Sequence, residues 1–155
     1  MPGRIDARLE KLGISLPEPA APAGSYVPFV VTGNLVVLSG QITLEDGKLV
    51  HVGKLGDDID IETGYAAARV CAINLLAQLR IACGGALDRV KRVVRLGGFV
   101  HATPDFKDHP KVINGASDLM KDVFGDAGQH ARAAVGCVSL PLGVSVEVEG
   151  MFEID

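Results

Sequence analysis

Residues 131–149 read ARAAVGCVSLPLGVSVEVE and carry much of the information in this chain. The segment begins with a small, apolar, strand-like run that contains one charged residue, Arg132. It ends in an alternating strand in which Glu147 and Glu149 share a face. A guanidinium keeps its proton and is costly to bury alone. Arg132 therefore reaches solvent, pairs with a carboxylate, or binds an anionic ligand. A structural role, as an ion pair or a solvated edge arginine, and a binding site for a small carboxylate both stay open.

The overall composition suits one ordinary globular domain. The chain has 155 residues, of which 48% are hydrophobic and 22% charged, and this length supports a sizeable core. The formal net charge of −4 disfavours a nucleic-acid binder, which needs a basic field to neutralise phosphates. The N-terminus lacks the apolar core of a signal peptide, and no apolar run approaches the length of a membrane span. We therefore expect a cytoplasmic protein without a membrane partner.

The cysteines give no sign of a metal site. Cys71, Cys83 and Cys137 are an odd number and lack the spacing of zinc ligands. Cys71 and Cys83 fall within a predicted helix, where a small buried hydrophobic residue is the usual role. We expect a reduced intracellular compartment and no bound metal.

Periodicity along the chain predicts an alternation of strands and helices. A short amphipathic helix over residues 4–13 precedes a Pro/Ala-rich connector. A helix of about six turns follows a cap at Asp60 and ends at Gly84. A second helix starts near Pro110 and stops at Gly125. The predicted strands are residues 26–32 and 35–41, joined by Gly-Asn, residues 90–101, and two final strands joined at residues 140–143.

This order predicts a single α+β domain over residues 25–155, preceded by an N-terminal helix and extension over residues 1–24. Two helices cover one face of a mixed sheet, and the other face needs solvent or a partner subunit. Arginine and glutamate on that second face favour a polar, site-bearing interface between subunits.

Two smaller features also yield expectations. Gly97-Gly98 within the long strand predicts a bulge or a close approach of another segment to the backbone. Asn74 and Gln78 lie away from the apolar stripe of the first long helix, so we expect them to be solvated or at an interface.

Several motifs together resemble the RidA (YjgF) family of reactive-intermediate deaminases, also labelled the endoribonuclease L-PSP family. The Ala-Arg dipeptide at Arg132, a hairpin through Leu140-Pro141 and a strand ending in Glu-x-Glu are similar to its C-terminal signature. Residues 39–41, Ser-Gly-Gln, match its first hairpin. The resemblance covers roughly residues 24–154. It implies a chorismate-mutase-like fold assembled as a homotrimer, with the sheets forming a central barrel and clefts between subunits.

The resemblance also implies an activity and a set of site residues. Members hydrolyse short-lived enamines and imines, with 2-aminoacrylate as the type substrate, to 2-keto acids and ammonium, without cofactor or metal. By this resemblance Arg132 clamps the substrate carboxylate, for which a planar fork is suited. Glu147 holds a water and moves protons at the imine. Its spacing from Arg132 favours Glu147 over Glu149 for this role. One of the two glutamates is available to pair with Arg92 or Arg95. The positions matching the cleft lining are Tyr26, Ser39, Asn114 and Ala134, the last through its backbone carbonyl.

Two positions depart from the family pattern. Ala134 stands where the family often has cysteine, and His130 stands where proline often precedes Ala-Arg. A histidine here either lies at the cleft, where it can change charge, or is an incidental loop residue.

Three functions therefore stay open. The first is an imine or enamine deaminase, and the second is a non-catalytic trimer that binds small keto or hydroxy acids in the same clefts. The third is an endoribonuclease or translation inhibitor. The net charge disfavours it, and the local basic cluster of Lys91, Arg92 and Arg95 is equally explained as a solvated strand face.

Overall fold

A five-stranded mixed sheet forms the centre of the structure, a computed structural model that describes residues 3–155. Its strands are β1 (Phe29–Thr32), β2 (Leu35–Gln41), β5 (Val90–His101), β6 (Ala131–Cys137) and β7 (Val146–Ile154). A small separate hairpin consists of β3 (Leu44–Glu45) and β4 (Lys48–Leu49). The strand order in the large sheet is β1-β2-β7-β5-β6, and only β5 and β6 run parallel. The predicted α+β class with a mixed sheet is confirmed.

Helices α2 (Ile61–Ala82) and α3 (His109–Phe124) pack against each other and cover one face of this sheet. Asp60 caps α2 as predicted, because its carboxylate accepts a hydrogen bond of 2.7 Å from the Thr63 backbone N–H. Helix α3 begins beside Pro110 and ends at Gly125, whose φ of +63° suits glycine. Both predicted helices are therefore confirmed.

The strands alternate between the two faces of the sheet, as β7 illustrates. Val146, Val148 and Phe152 are fully buried beneath the helices, whereas the glutamates between them point the other way and are half-buried. We call this second side the open face. It exposes apolar side chains at Val30 (50%), Val37 (38%) and Val135 (47%), an arrangement that suits contact with another subunit.

Helix α1 (Arg4–Lys11) joins the same core from the side of α3. Ile5 and Leu9 are each 2% exposed. The Asp88 carboxylate accepts hydrogen bonds of 2.8 Å from the backbone N–H groups of Arg4 and Ile5, and so caps the helix from a distant part of the chain. The extension is thus docked on the domain.

The expected hairpin between the last two strands is wrong. Strand β5 lies between β6 and β7, since Leu96 pairs with Arg132 on one side and with Gly150 on the other. The connection through residues 138–145 therefore crosses the end of β5. Leu142 adopts a φ of +59° within it.

Gly98 confirms the close approach that the Gly97-Gly98 pair predicts. A Cβ atom on Gly98 would lie only 2.5 Å from the Ile113 side chain of α3. The irregular register of β5 against β7 occurs earlier, between residues 90 and 95. The two glycines thus serve packing, and the bulge lies elsewhere.

The expectation for Asn74 and Gln78 is wrong. The Asn74 side chain donates to the carbonyls of Ile42 (3.1 Å) and Leu44 (2.9 Å). Gln78, only 3% exposed, donates to the Ala20 carbonyl at 3.1 Å. Both amides satisfy backbone acceptors of segments that cross α2, a role that helical periodicity does not reveal.

Candidate functional site

Arg132 lies on the helix-covered face of edge strand β6 and is half-buried. Its Nη1 donates to Asn114 Oδ1 at 2.8 Å and to Ser117 Oγ at 3.1 Å, and both acceptors belong to α3. Among residues 3–155 it forms no ion pair with a carboxylate, and its Nε and Nη2 have no protein acceptor. The guanidinium is therefore oriented by neutral groups and keeps its charge and one edge available for an anion.

His130 extends this arrangement beyond the predicted residues. Its Nε2 lies 2.9 Å from Ser117 Oγ, and its Nδ1 lies 2.6 Å from the Gly128 carbonyl oxygen. We call Arg132, Asn114, Ser117 and His130 the Arg132 cluster. Sequence reasoning missed Ser117, although its spacing of three from Asn114 places both on one helix face.

Small residues in β6 let the start of α3 approach this strand closely. Ala134 lies on the same strand face as Arg132, and its half-buried side chain packs against the core. A Cβ atom on Gly136 would lie 2.5 Å from Nε2 of His109 at the start of α3. Because β6 is an edge strand, one side of its backbone has no neighbouring strand in the sheet.

Glu147 lies on the open face, opposite Phe99 of β5. Its carboxylate has no hydrogen-bond or ion-pair partner in the part of the chain that the structure describes. It lies beside Gly40, where an added Cβ would come within 2.5 Å of Oε2. Partial burial, and then the nearby charge of Glu149, raise the pKa of Glu147.

Glu149 differs from Glu147 in having a cationic partner. Arg95 Nη1 lies 3.5 Å from Glu149 Oε2, and both side chains are close to half exposed. A pair of this length and exposure contributes little to stability. It nevertheless separates the two glutamates: Glu149 is the one that pairs with Arg95, and Glu147 keeps a free carboxyl group.

Ser39 joins the predicted Tyr26 segment to β2. Its Oγ donates to the Val27 carbonyl at 2.7 Å, and its backbone N–H donates to the Pro28 carbonyl at 2.9 Å. Tyr26 is 52% exposed beside these contacts. We call Ser39, Gly40 and Glu147 the Glu147 cluster.

Four of the six predicted site residues thus form two groups on one chain, and Tyr26 and Ala134 belong to neither. The structure brings Arg132 together with Asn114, and Glu147 together with the Ser39-Gly40 segment. Arg132 and Glu147 point to opposite faces of the sheet, so the expectation that arginine and glutamate of the site share the open face is wrong. The reason is the register: Arg132 pairs with Leu96, a helix-facing residue, whereas Glu147 pairs with Phe99.

Cys71 lies in the core beneath β7. The buried Cys71 thiol donates to the Val146 carbonyl, and burial strongly raises its pKa, so it is not available as a thiolate. Within residues 3–155, no three side chains of histidine, cysteine, aspartate or glutamate gather in a way that could hold a metal ion. Over the same residues, no helix has the length and apolar character needed to cross a membrane.

Comparison with known proteins identifies relatives over the whole chain. A family model described as "YjgF/chorismate mutase-like, putative endoribonuclease" matches residues 6–152. Protein TCP17 of Trypanosoma cruzi is 46% identical over 154 residues, covering 99% of this chain and 96% of the relative. A 2-iminobutanoate/2-iminopropanoate deaminase of Dermatophagoides farinae is 30% identical over 144 residues, covering 92% and 95%.

A crystal structure of a protein from Shewanella oneidensis MR-1, named a "putative endoribonuclease", has a TM-score of 0.94 and 38% identity, covering 98% of this chain and 100% of that one. The family model spans nearly the entire domain, and the structural match includes the sheet and both covering helices. The chain therefore belongs to the YjgF (RidA) family, as the motifs around Arg132 and Glu147 predicted.

Proposed function

We propose that this protein hydrolyses small enamine and imine carboxylates of the 2-aminoacrylate type to 2-keto acids and ammonium. The observation that carries the proposal is the state of Arg132: half-buried, fixed by Asn114 and Ser117, and without a carboxylate partner among the described residues. A structural ion pair would have satisfied that charge within the chain. A substrate carboxylate satisfies it instead, through the free edge of the guanidinium.

Glu147 supplies the proton transfers that hydrolysis needs. Its partial burial raises its pKa and so brings the carboxyl closer to the range in which it both accepts and donates protons. An enamine first becomes an imine, as a proton adds to its β-carbon and a proton leaves its nitrogen. In the proposed reaction Glu147 then takes a proton as water adds to the imine carbon, and it returns a proton to the nitrogen. The resulting carbinolamine expels ammonia, which leaves as ammonium, and the carbon becomes the keto group. Water and protein side chains provide every atom and proton.

Assembly completes the site, because the two clusters belong to opposite faces of the sheet. We propose a homotrimer with head-to-tail interfaces, in which Arg132 of one copy and Glu147 of the next line one cleft. The exposed valines of the open face support burial against another copy. Tyr26, Ser39 and the Ala134 backbone complete the lining. The relative from Dermatophagoides farinae, named a 2-iminobutanoate/2-iminopropanoate deaminase, supports the choice of substrate.

The proposal is tested by measuring ammonia and keto-acid release from enzymatically generated 2-aminoacrylate and from bulkier amino-acid imines. Arg132→Ala is expected to lower kcat/KM by roughly 100-fold or more, since it removes the charged carboxylate contact. The matched control is Arg92→Ala, which removes one exposed arginine from the same sheet and should leave turnover unchanged. Turnover by Arg132→Ala equal to that of wild type would overturn the proposal.

A non-catalytic carboxylate binder is the second candidate. In this candidate the Arg132 cluster alone holds the carboxylate, without help from Glu147, and Ala134 stands where the family often has cysteine. This candidate predicts binding of small keto acids by calorimetry with no ammonia release. The structure gives less support to RNA cleavage: Arg95 pairs with Glu149, which leaves only Lys91 and Arg92 of the local basic cluster unpaired among residues 3–155.

A further inference from the structure

We infer that His130 is a positioning residue for Arg132 and acts through Ser117, so that a small carboxylate binds more tightly when His130 is protonated. This inference rests on the proposed function, because it concerns the control of the same carboxylate clamp. It assigns a role to a side chain that stands where the family often has proline.

The hydrogen bonds around His130 have a defined direction. The Gly128 carbonyl only accepts, so the 2.6 Å contact assigns a hydrogen to His130 Nδ1. Neutral imidazole then has a lone pair on Nε2. Ser117, whose Oγ is 2.9 Å away, must donate its one hydroxyl hydrogen to that nitrogen. The Ser117 oxygen in turn accepts from Arg132 at 3.1 Å.

Protonation of His130 reverses the direction of its hydrogen bond with Ser117. Nε2 becomes a donor, and Ser117 Oγ then accepts from both His130 and Arg132. Its hydroxyl hydrogen is released to point toward an anion held by the guanidinium. A bound carboxylate therefore gains a hydrogen-bond donor and a second nearby positive charge.

The other charged side chains around His130 are not joined to it through a shared hydrogen-bond partner. The titratable and charged side chains on the elements packed around it are Arg132 and Cys137 on β6, Lys91, Arg92, Arg95 and His101 on β5, Asp126 in the 125–128 turn, and His109, Lys111, Asp118, Lys121 and Asp122 on α3. Arg95 pairs with Glu149 on the open face, and Asp118 accepts a hydrogen bond from the Tyr65 hydroxyl at 2.7 Å. In the described part of the chain, Arg132 alone among these shares a hydrogen-bond partner with His130.

The test is isothermal titration calorimetry of the intact protein with pyruvate, whose carboxylate stays ionised over the range used. Between about pH 8 and about pH 6, where histidine side chains ordinarily change charge, wild-type affinity is expected to rise roughly threefold to tenfold, the effect of one added hydrogen bond. His130→Gln keeps an acceptor for the Ser117 hydroxyl but cannot titrate. It should bind as wild type does at the higher pH and show no further change on acidification.

Two further variants test whether the effect of His130 on Arg132 passes through Ser117. Ser117→Ala breaks the connection while His130 remains, so it should also lose the pH dependence. His51→Gln removes a different half-buried histidine, outside both clusters, and should keep the wild-type profile. Retention of the full pH dependence in either His130→Gln or Ser117→Ala overturns the inference.

Arg132→Ala separates failure of this inference from failure of the proposed function. Undiminished pyruvate binding by that variant would overturn the carboxylate clamp itself, and both proposals with it. Lost binding in Arg132→Ala, with a wild-type pH profile in His130→Gln, would overturn only the role of His130. Retained high-pH affinity in His130→Gln excludes misfolding as the cause of a flat profile.

Discussion

Mixing two inactive variants should restore activity if the site is shared between copies of the chain. Arg132→Ala removes the proposed carboxylate clamp, and Glu147→Gln removes the proposed proton-transfer group. Each variant alone lacks one of the two groups in every site. Because the two residues lie on opposite faces of one sheet, the proposed cleft takes them from different chains. In a mixed oligomer, however, a Glu147→Gln chain supplies Arg132 and a neighbouring Arg132→Ala chain supplies Glu147.

The expected recovery follows from counting interfaces. In a closed ring with head-to-tail contacts, each cleft takes its arginine from one copy and its glutamate from the next. With equal amounts and random assembly, each of these two requirements is met with a probability of about one half. About one quarter of the clefts are then intact, and the mixture should reach about one quarter of wild-type activity.

The assay is ammonia release after the two variants are unfolded together, refolded and purified as one oligomer. Each variant refolded with itself is the control for assembly and should stay inactive. A second mixture, wild type with the double variant, should retain about one quarter of the activity for a shared site and about one half for a site within one chain. No recovery in the first mixture, together with about one half in the second, would refute the shared site.

Two further predictions concern stability. Glu147→Gln should raise Tm at neutral and alkaline pH. Folding raises the pKa of Glu147, so the folded state holds this proton more tightly than the unfolded chain does. The stability of the wild type therefore falls as pH rises from the ordinary glutamate pKa through the pKa in the folded state. The gain should vanish below the ordinary glutamate pKa, and equal Tm values at alkaline pH would contradict the burial of an ionised Glu147. Gly98→Ala should cost roughly 1–3 kcal/mol in denaturant unfolding, because its Cβ would meet Ile113, a fully buried side chain, at 2.5 Å. Gly97→Ala is the matched control and should cost less, since its Cβ would meet the flexible side chains of Glu149 (2.9 Å) and Arg95 (3.0 Å); equal costs would show that packing against α3 is not the reason for Gly98.

Sequence patterns predicted most of the helices and strands, because the interactions that start, stop and orient these elements act within a few residues. A stripe of apolar residues, a cap at Asp60 and a glycine stop at Gly125 each act within a few residues, and α2 and α3 appear where these signals place them. The Gly33-Asn34 turn likewise joins β1 to β2. The side chains of Asn74 and Gln78 escaped prediction because their acceptors lie in segments far away along the chain.

For the candidate site, too, local features followed from the sequence and long-range relations did not. Sequence by itself determined the family, the elements that carry Arg132 and Glu147, and the alternation of side chains within each strand. Only the tertiary structure decided that these two residues face opposite sides of the sheet, because parity within a strand does not say how that strand pairs with its neighbours. The insertion of β5 between β6 and β7 sets that relation. It turns Arg132 toward α3, where Ser117 and His130 meet it, and leaves Glu147 on the open face.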